Sequence, residues 1–192
     1  FCSTPVPPGV ACGVFHITSS PGPMKSGYVA IVGRPNVGKS TLLNHLLGQK
    51  ISITSRRPQT TRHRIHGIKT TSKGQAVFVD TPGIHANEKR AMNRYLNRAA
   101  GTAFSDVDVI LWVIDKPEFL PEDELVLKRI RQANLPVILA INKIDRIDDK
   151  ELLLPFLQAA EDEFSFAAMI PLSALRGLNL EELETTLFEY LP

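Results

Sequence analysis

From residue 28 onward, short apolar runs alternate with stretches of helical periodicity. Tyr28-Val29-Ala30-Ile31-Val32, Val109-Ile110-Leu111-Trp112-Val113-Ile114 and Val137-Ile138-Leu139-Ala140-Ile141 are near-continuous apolar runs, as expected of parallel strands covered on both faces. Between and after them, the spacing of apolar positions predicts helices near 41–47 (ended by Gly48), 89–103, 122–133, 150–164 and 180–190. Further strands are expected near 64–69 and 76–79, joined by Ser72-Lys73-Gly74 as a hairpin turn, with a short last strand at 168–171. Residues 49–62, polar and rich in Thr, Arg and Ser, read as a loop. This alternation predicts an α/β fold, a mostly parallel six-stranded sheet with helices on both faces and a ligand at the C-terminal strand ends. Nothing in the pattern indicates an internal repeat or a second domain.

The first 23 residues depart from this pattern. They hold no Lys, Arg, Asp or Glu, and Pro5, Pro7, Pro8, Pro21 and Pro23 interrupt any regular element. The basic n-region of a secretory signal is absent. Residues 1–23 therefore read as a non-native or disordered leader, with Met24 as the start of one domain over 24–192. A length of 192 residues, 43% of them hydrophobic, suffices for one domain with a real core. No apolar run approaches the roughly 20 residues of a membrane span. A formal charge of +2 is too small to argue for nucleic acid by itself, although Arg56, Arg57, Arg62, His63 and Arg64 crowd into one short stretch. Both cysteines, Cys2 and Cys12, lie in the leader, and a domain without them fits a cytosolic setting.

After the first apolar run comes Gly33-Arg34-Pro35-Asn36-Val37-Gly38-Lys39-Ser40. Four residues between two glycines, followed by Lys-Ser, let backbone N–H groups curl around a β-phosphate. Lys39 can neutralise β- and γ-phosphate charge, and the Ser40 hydroxyl can ligate Mg²⁺. The strand–loop–helix setting puts phosphates on a helix N-terminus, where the dipole favours anions. Asn36, Val37, Gly38, Lys39, Ser40 and Thr41 are thus the expected phosphate-binding residues.

Two further loops identify the nucleotide. Val77-Phe78-Val79 runs into Asp80-Thr81-Pro82-Gly83. A carboxylate at a strand tip beside the phosphate loop can hold Mg²⁺ through its water shell, and the Gly83 N–H can approach a γ-phosphate. Asn142-Lys143-Ile144-Asp145 follows the 137–141 run. Asp145 can accept from guanine N1–H and the exocyclic amine together, a pairing that adenine cannot supply, at about 1.5–3 kcal/mol per charge-assisted bond. The competing use of such a tetrapeptide is a helix cap, with Asp145 bonded to backbone. Asn142 can tie neighbouring loops together, and the Lys143 stem can pack over the base. Leu172-Ser173-Ala174 completes the set, with the Ala174 N–H placed to reach guanine O6 and Ser173 beside it.

The ordered set of motifs resembles the translation-factor-type GTPases, and its details resemble the Era family. Most telling is Ile53-Thr54-Ser55-Arg56-Arg57-Pro58-Gln59-Thr60-Thr61-Arg62-His63-Arg64-Ile65, similar to the first switch of that family; Glu88-Lys89-Arg90-Ala91-Met92-Asn93-Arg94 resembles its second switch. The likeness runs from about residue 27 to 192 and implies a P-loop NTPase G domain over 24–192. By resemblance, the function is GTP binding and hydrolysis by a molecular switch in small-subunit ribosome maturation. The implied partners are GTP or GDP, and small-subunit (16S) ribosomal RNA and the 30S subunit through a C-terminal KH domain of the family. The implied setting is a cytoplasmic monomer, with peripheral inner-membrane contact for the parent protein.

Thr60 and Thr61 are both candidates for the hydroxyl that completes the Mg²⁺ shell, and the resemblance favours Thr61. Lys39, Thr61, Gly83 and Asn36 are the expected catalytic residues. Where Ras-like GTPases carry a water-orienting Gln after the Asp-x-x-Gly motif, this chain has Ile84. The resemblance supplies an alternative, in which Asn36 helps to hold a K⁺ ion beside the phosphates; the competing use of Asn36 is a bond within its own loop. Without Gln or a partner, slow turnover is expected, about 10⁻⁴ to 10⁻³ s⁻¹. Two rival readings stand beside this one. The first is a nucleotide-binding scaffold with little hydrolysis, which Ile84 favours and the complete Mg²⁺ set opposes. The second is another ribosome- or tRNA-associated GTPase of the same superfamily.

Overall fold

The computed structural model describes residues 24–48, 64–80, 107–147 and 150–192. Six strands form one sheet: β1 (Lys25–Val32), β2 (Arg64–Thr71), β3 (Gly74–Asp80), β4 (Val109–Ile114), β5 (Val137–Ile141) and β6 (Ala168–Pro171). Their spatial order is β2-β3-β1-β4-β5-β6. All neighbouring pairs are parallel except β2 with β3, the predicted hairpin. Four α-helices are described: α1 (Lys39–Leu46), α2 (Pro121–Ala133), α3 (Leu153–Glu163) and α4 (Leu180–Tyr190).

The two-residue period of a strand sorts the apolar runs into two cores. Val109, Leu111 and Val113 of β4 join Leu42, Leu43 and Leu46 of α1 and Leu183 and Leu187 of α4 in one cluster. Ile110, Trp112 and Ile114 face the other way, against Val126 and Ile130 of α2 and Phe156 and Ala160 of α3. Helices therefore cover both faces, and every residue of β4 and β5 is buried. Trp112 is stacked on Phe119 with centroids 5.2 Å apart. No described helix is long and apolar enough to cross a membrane.

Three boundaries differ from those expected. β1 begins at Lys25 rather than at residue 28, because Lys25, Ser26 and Gly27 pair with Gly74, Gln75 and Ala76 of β3. Gly74 opens β3 at φ 155°, where a Cβ would lie 2.0 Å from the Lys25 carbonyl oxygen; it is thus part of the sheet, and the turn is Ser72-Lys73. The helix expected over 150–164 is divided into a 3-10 turn, Lys150–Leu152, and α3. Pro155 explains the division: it fits the first turn of a helix starting at Leu153 but not a helix interior. The helix expected at 89–103 lies outside the described residues, as do Thr60, Thr61, Thr81, Pro82, Gly83 and Ile84.

Candidate functional site

Parallel strands bring their C-terminal ends to one edge, and every described candidate residue lies there. β1 leads into residues 33–38, β4 into Asp115, β5 into Asn142, and β6 into Leu172, Ser173 and Ala174. β3 ends at Asp80, whose backbone is paired with Ile31 two residues before the phosphate loop.

The phosphate loop is shaped from within and from below. Val37 is fully buried and packs with the α1 side of the core, so the loop's crest is anchored by an apolar side chain. Gly33 and Gly38 adopt φ 142° and 102°, and a Cβ at Gly33 would meet the Val113 carbonyl oxygen at 2.2 Å. Gly38 is the N-cap of α1 and supplies no side-chain cap, and no acidic residue occupies the first turn. The first-turn N–H groups of a helix find no carbonyl within the helix to bond, and at Ser40 and Thr41 that arrangement suits an anion. Lys39 Nζ donates to the carbonyls of Gly33 at 2.8 Å and Arg34 at 2.6 Å, which keeps the ammonium over the loop.

Asn142 joins three loops. Its Nδ2 donates to the Val37 carbonyl at 2.8 Å; its Oδ1 accepts from the N–H groups of Lys143 at 2.8 Å and Ala174 at 2.9 Å. The expected free Ala174 N–H is therefore already engaged, because Asn142 Oδ1 lies within its reach. A contact from it to guanine O6 has to share or replace that bond. Lys143, at φ 64°, sends Nζ to the Asn36 carbonyl at 2.7 Å and to Asp115 Oδ2 at 2.8 Å.

Asp145 is exposed within the short 3-10 turn Ile144–Arg146, whose N-cap Lys143 makes no side-chain cap bond. The Asp145 carboxylate accepts from the Ser173 hydroxyl, and that hydroxyl, ahead of all other influences, holds the carboxyl below its ordinary value. The carboxylate is also bonded to the N–H of its own residue, so the backbone bonding that the cap alternative expects is present beside the Ser173 contact. Asn36, at φ 65°, uses its carbonyl for Lys143, while its side chain makes no hydrogen bond to any described residue. That carbonyl bond goes to Lys143 of another loop, so among the described residues no hydrogen bond of Asn36 stays within its own loop.

Sequence reasoning missed a group of charges beside this edge. Arg34 Nη2 donates to Asp115 Oδ1 and Arg34 Nε to Asp123 Oδ2, each at 2.9 Å. Asp123 is fully buried in the first turn of α2 and also accepts from the Leu120 N–H at 3.1 Å. The two carboxylates respond oppositely. Burial pushes Asp123 up, and the Leu120 N–H and the Arg34 charge only partly oppose it. Burial also raises Asp115, but the Lys143 hydrogen bond and charge, with those of Arg34, outweigh it and leave that carboxyl below its ordinary value. A groove of about 1520 Å³ opens alongside, between α2 and α3; it shares Asp115, Asp123 and Lys143 with the cluster and is floored by Leu127 and Phe156.

Comparison with known proteins agrees with this architecture. Residues 28–143 match the family described as 50S ribosome-binding GTPase. GTPase Era of Marinobacter nauticus is 56% identical over 168 residues, 88% of this chain and 55% of that protein. GTPase Era of Haemophilus influenzae is 59% identical over 158 residues, 82% of this chain and 52% of that protein. This chain thus spans about half the length of the curated relatives it matches. Among solved structures, Aquifex aeolicus Era bound to GDP and AlF4⁻ is 43% identical with a TM-score of 0.70, over 88% of this chain and 58% of that one. Era in complex with MgGDPNP and nucleotides 1506–1542 of 16S ribosomal RNA is 44% identical, with the same TM-score and coverage. The chain belongs to the 50S ribosome-binding GTPase family, with a G domain like that of Era.

Proposed function

We propose that this chain binds GTP and GDP with Mg²⁺, hydrolyses GTP slowly, and serves as the switch of a protein acting in small-subunit ribosome assembly. The observation that carries the reading is the bonding of Asn142 to Val37 and Ala174, which unites the phosphate loop and the two base-side loops in one site. A strand tip carrying Asp145 on that edge, charged and facing solvent, offers the bidentate acceptor that selects guanine over adenine. The donor set suits Mg²⁺: the exposed Ser40 hydroxyl and the Asp80 carboxylate are hard oxygen donors, as that ion requires. When bound, the ion neutralises charge between the β- and γ-phosphates. Lys39 adds positive charge over the same loop, and Thr61 and Gly83 are proposed to close on the γ-phosphate. The ribosomal part of the reading is supported by the Era complex with 16S ribosomal RNA.

The test is equilibrium binding of fluorescent GDP against ADP, followed by single-turnover GTP hydrolysis with Mg²⁺ and with EDTA. Guanine selectivity on the order of 10⁴ and Mg²⁺-dependent hydrolysis are expected. Tight GDP binding without turnover, even with 30S subunits added, would establish the scaffold reading instead.

A further inference from the structure

Arg34 occupies a position of the phosphate loop that the loop pattern leaves open to any residue, and the function proposed above makes no use of it. Its contacts are nonetheless specific. One nitrogen reaches Asp115 at the end of β4 and another reaches the buried Asp123 of α2. The second oxygen of Asp115 accepts from Lys143, and the same ammonium donates to the carbonyl of Asn36. The path leaves the phosphate loop at Arg34, passes through Asp115, and returns through Lys143 to the loop two residues further on. Two cations face two carboxylates, so the group is neutral as a whole. Arg34, Asp115 and Lys143 are only partly exposed, with 16%, 18% and 27% of their side chains accessible, so solvent screens these pairs less than it would surface pairs.

We propose that Asp115 is a positioning residue for guanine-nucleotide binding, fixing the Lys143 side chain against the phosphate loop and holding Arg34 with its other oxygen. This inference rests on the guanine-nucleotide reading above. A free lysine side chain samples many rotamers, and ordering it during binding costs affinity. Asp115 orders it beforehand, so the stem that packs over the base and the loop that receives the phosphates are set as one unit. On this inference Asp115 acts through Lys143 and not by contact with base or phosphate. Its effect is therefore on residence time and affinity for any guanine-like base, not on reading of the base edge.

Asp115→Asn keeps the size of the side chain and removes its charge. GDP dissociation, followed with a fluorescent GDP analogue, is expected to be roughly tenfold faster, the lower end for loss of a charge-assisted bond that is partly solvated. Asp115→Glu, which retains the charge, recovers part of that loss. Lys143→Met keeps the apolar stem without the ammonium, and adding Asp115→Asn to it changes dissociation by less than about twofold, because Asp115 acts on the nucleotide through the ammonium already removed. The preference for GDP over IDP, whose base lacks the exocyclic amine, stays as in the unsubstituted chain. Wild-type dissociation from Asp115→Asn, additive effects in the double variant, or a collapsed GDP-to-IDP preference would each overturn the inference. If Asp115→Asn does not fold, as read by the fluorescence of Trp112, the Lys143→Met and Asp115→Glu variants decide: unchanged dissociation in Lys143→Met overturns the inference. A wild-type chain that does not bind GDP overturns both this inference and the guanine reading, whereas selective GDP binding that is indifferent to Asp115 overturns this one alone.

Discussion

The side-chain amide of Asn142 donates to the backbone carbonyl of Val37 across 105 residues of sequence, at 2.8 Å, and both residues are buried. The bond fixes the crest of the phosphate loop to the end of β5, and the same side chain holds Ala174. Asn142→Ala leaves the Val37 carbonyl and the N–H groups of Lys143 and Ala174 without that partner. Unsatisfied buried groups of this kind cost about 1–3 kcal/mol each, reduced where water enters, so a loss of about 2–4 kcal/mol is expected. Urea unfolding followed by Trp112, the single tryptophan, measures it. A loss below about 1 kcal/mol would show that Asn142 does not hold the loops together.

Gly38 faces the same amide. A Cβ there would stand 2.2 Å from Asn142 Nδ2, on a backbone at φ 102°. Gly48, at the other end of α1, also has positive φ, 76°, but a Cβ there would meet nothing within 4 Å. Gly48→Ala is therefore expected to cost only the left-handed backbone penalty, about 1–2 kcal/mol, with nucleotide affinity unchanged. Gly38→Ala is expected to cost more, displacing Asn142 and lowering GDP affinity on the order of a hundredfold or more. Equal effects of the two substitutions on affinity would remove the steric argument.

What was legible in the sequence was local. The residues of β4 and β5 alternate between two cores because a strand has a two-residue period, and that period can be read along the chain without a structure. The candidate residues from Asn36 to Thr41 and from Asn142 to Asp145 could be placed at one edge of the sheet because short loops at strand ends carry their chemistry in order. Arg34, Asp115 and Asp123 could not. Arg34 lies 81 and 89 residues from its two partners, and Asp123 looks in sequence like any acid in the first turn of a helix. The start of β1 was missed for the same reason, since Lys25 enters the sheet through a partner strand some fifty residues on. The division of the 150–164 helix was legible in principle, through Pro155, and apolar periodicity obscured it.

The Ser173 hydroxyl donates to Asp145 and lowers its pKa from the ordinary value of 3.8. Guanine requires the ionised carboxylate, so affinity is lost as pH falls through the pKa of the free chain. In the wild type, GDP affinity is expected to hold to lower pH than it would without that hydroxyl. Ser173→Ala removes the donor, raises that pKa, and moves the loss to higher pH. GDP titrations over the acid range, with Trp112 fluorescence confirming that the chain remains folded, check the sign. An unchanged onset in Ser173→Ala would exclude the hydroxyl as the cause.

We propose that Asn36 supplies what a site with Ile84 in place of a water-orienting Gln lacks for hydrolysis. An aliphatic side chain can neither donate to nor accept from the attacking water, so positive charge near the phosphates has to come from elsewhere. The Asn36 carbonyl is taken up by Lys143, while its side chain is exposed and bonds to no described residue, which leaves the amide oxygen available as a hard ligand for K⁺. Single-turnover hydrolysis at matched ionic strength is then expected to be faster in KCl than in NaCl, on the order of tenfold or more. Asn36→Ala and Asn36→Asp separate the contributions. Loss of the potassium advantage in the alanine variant, with GDP affinity retained, assigns the ion to this side chain; the aspartate variant tests whether a charged oxygen serves as well as an amide. Equal rates in both salts would eliminate the ion and leave the missing charge to be sought in an added partner.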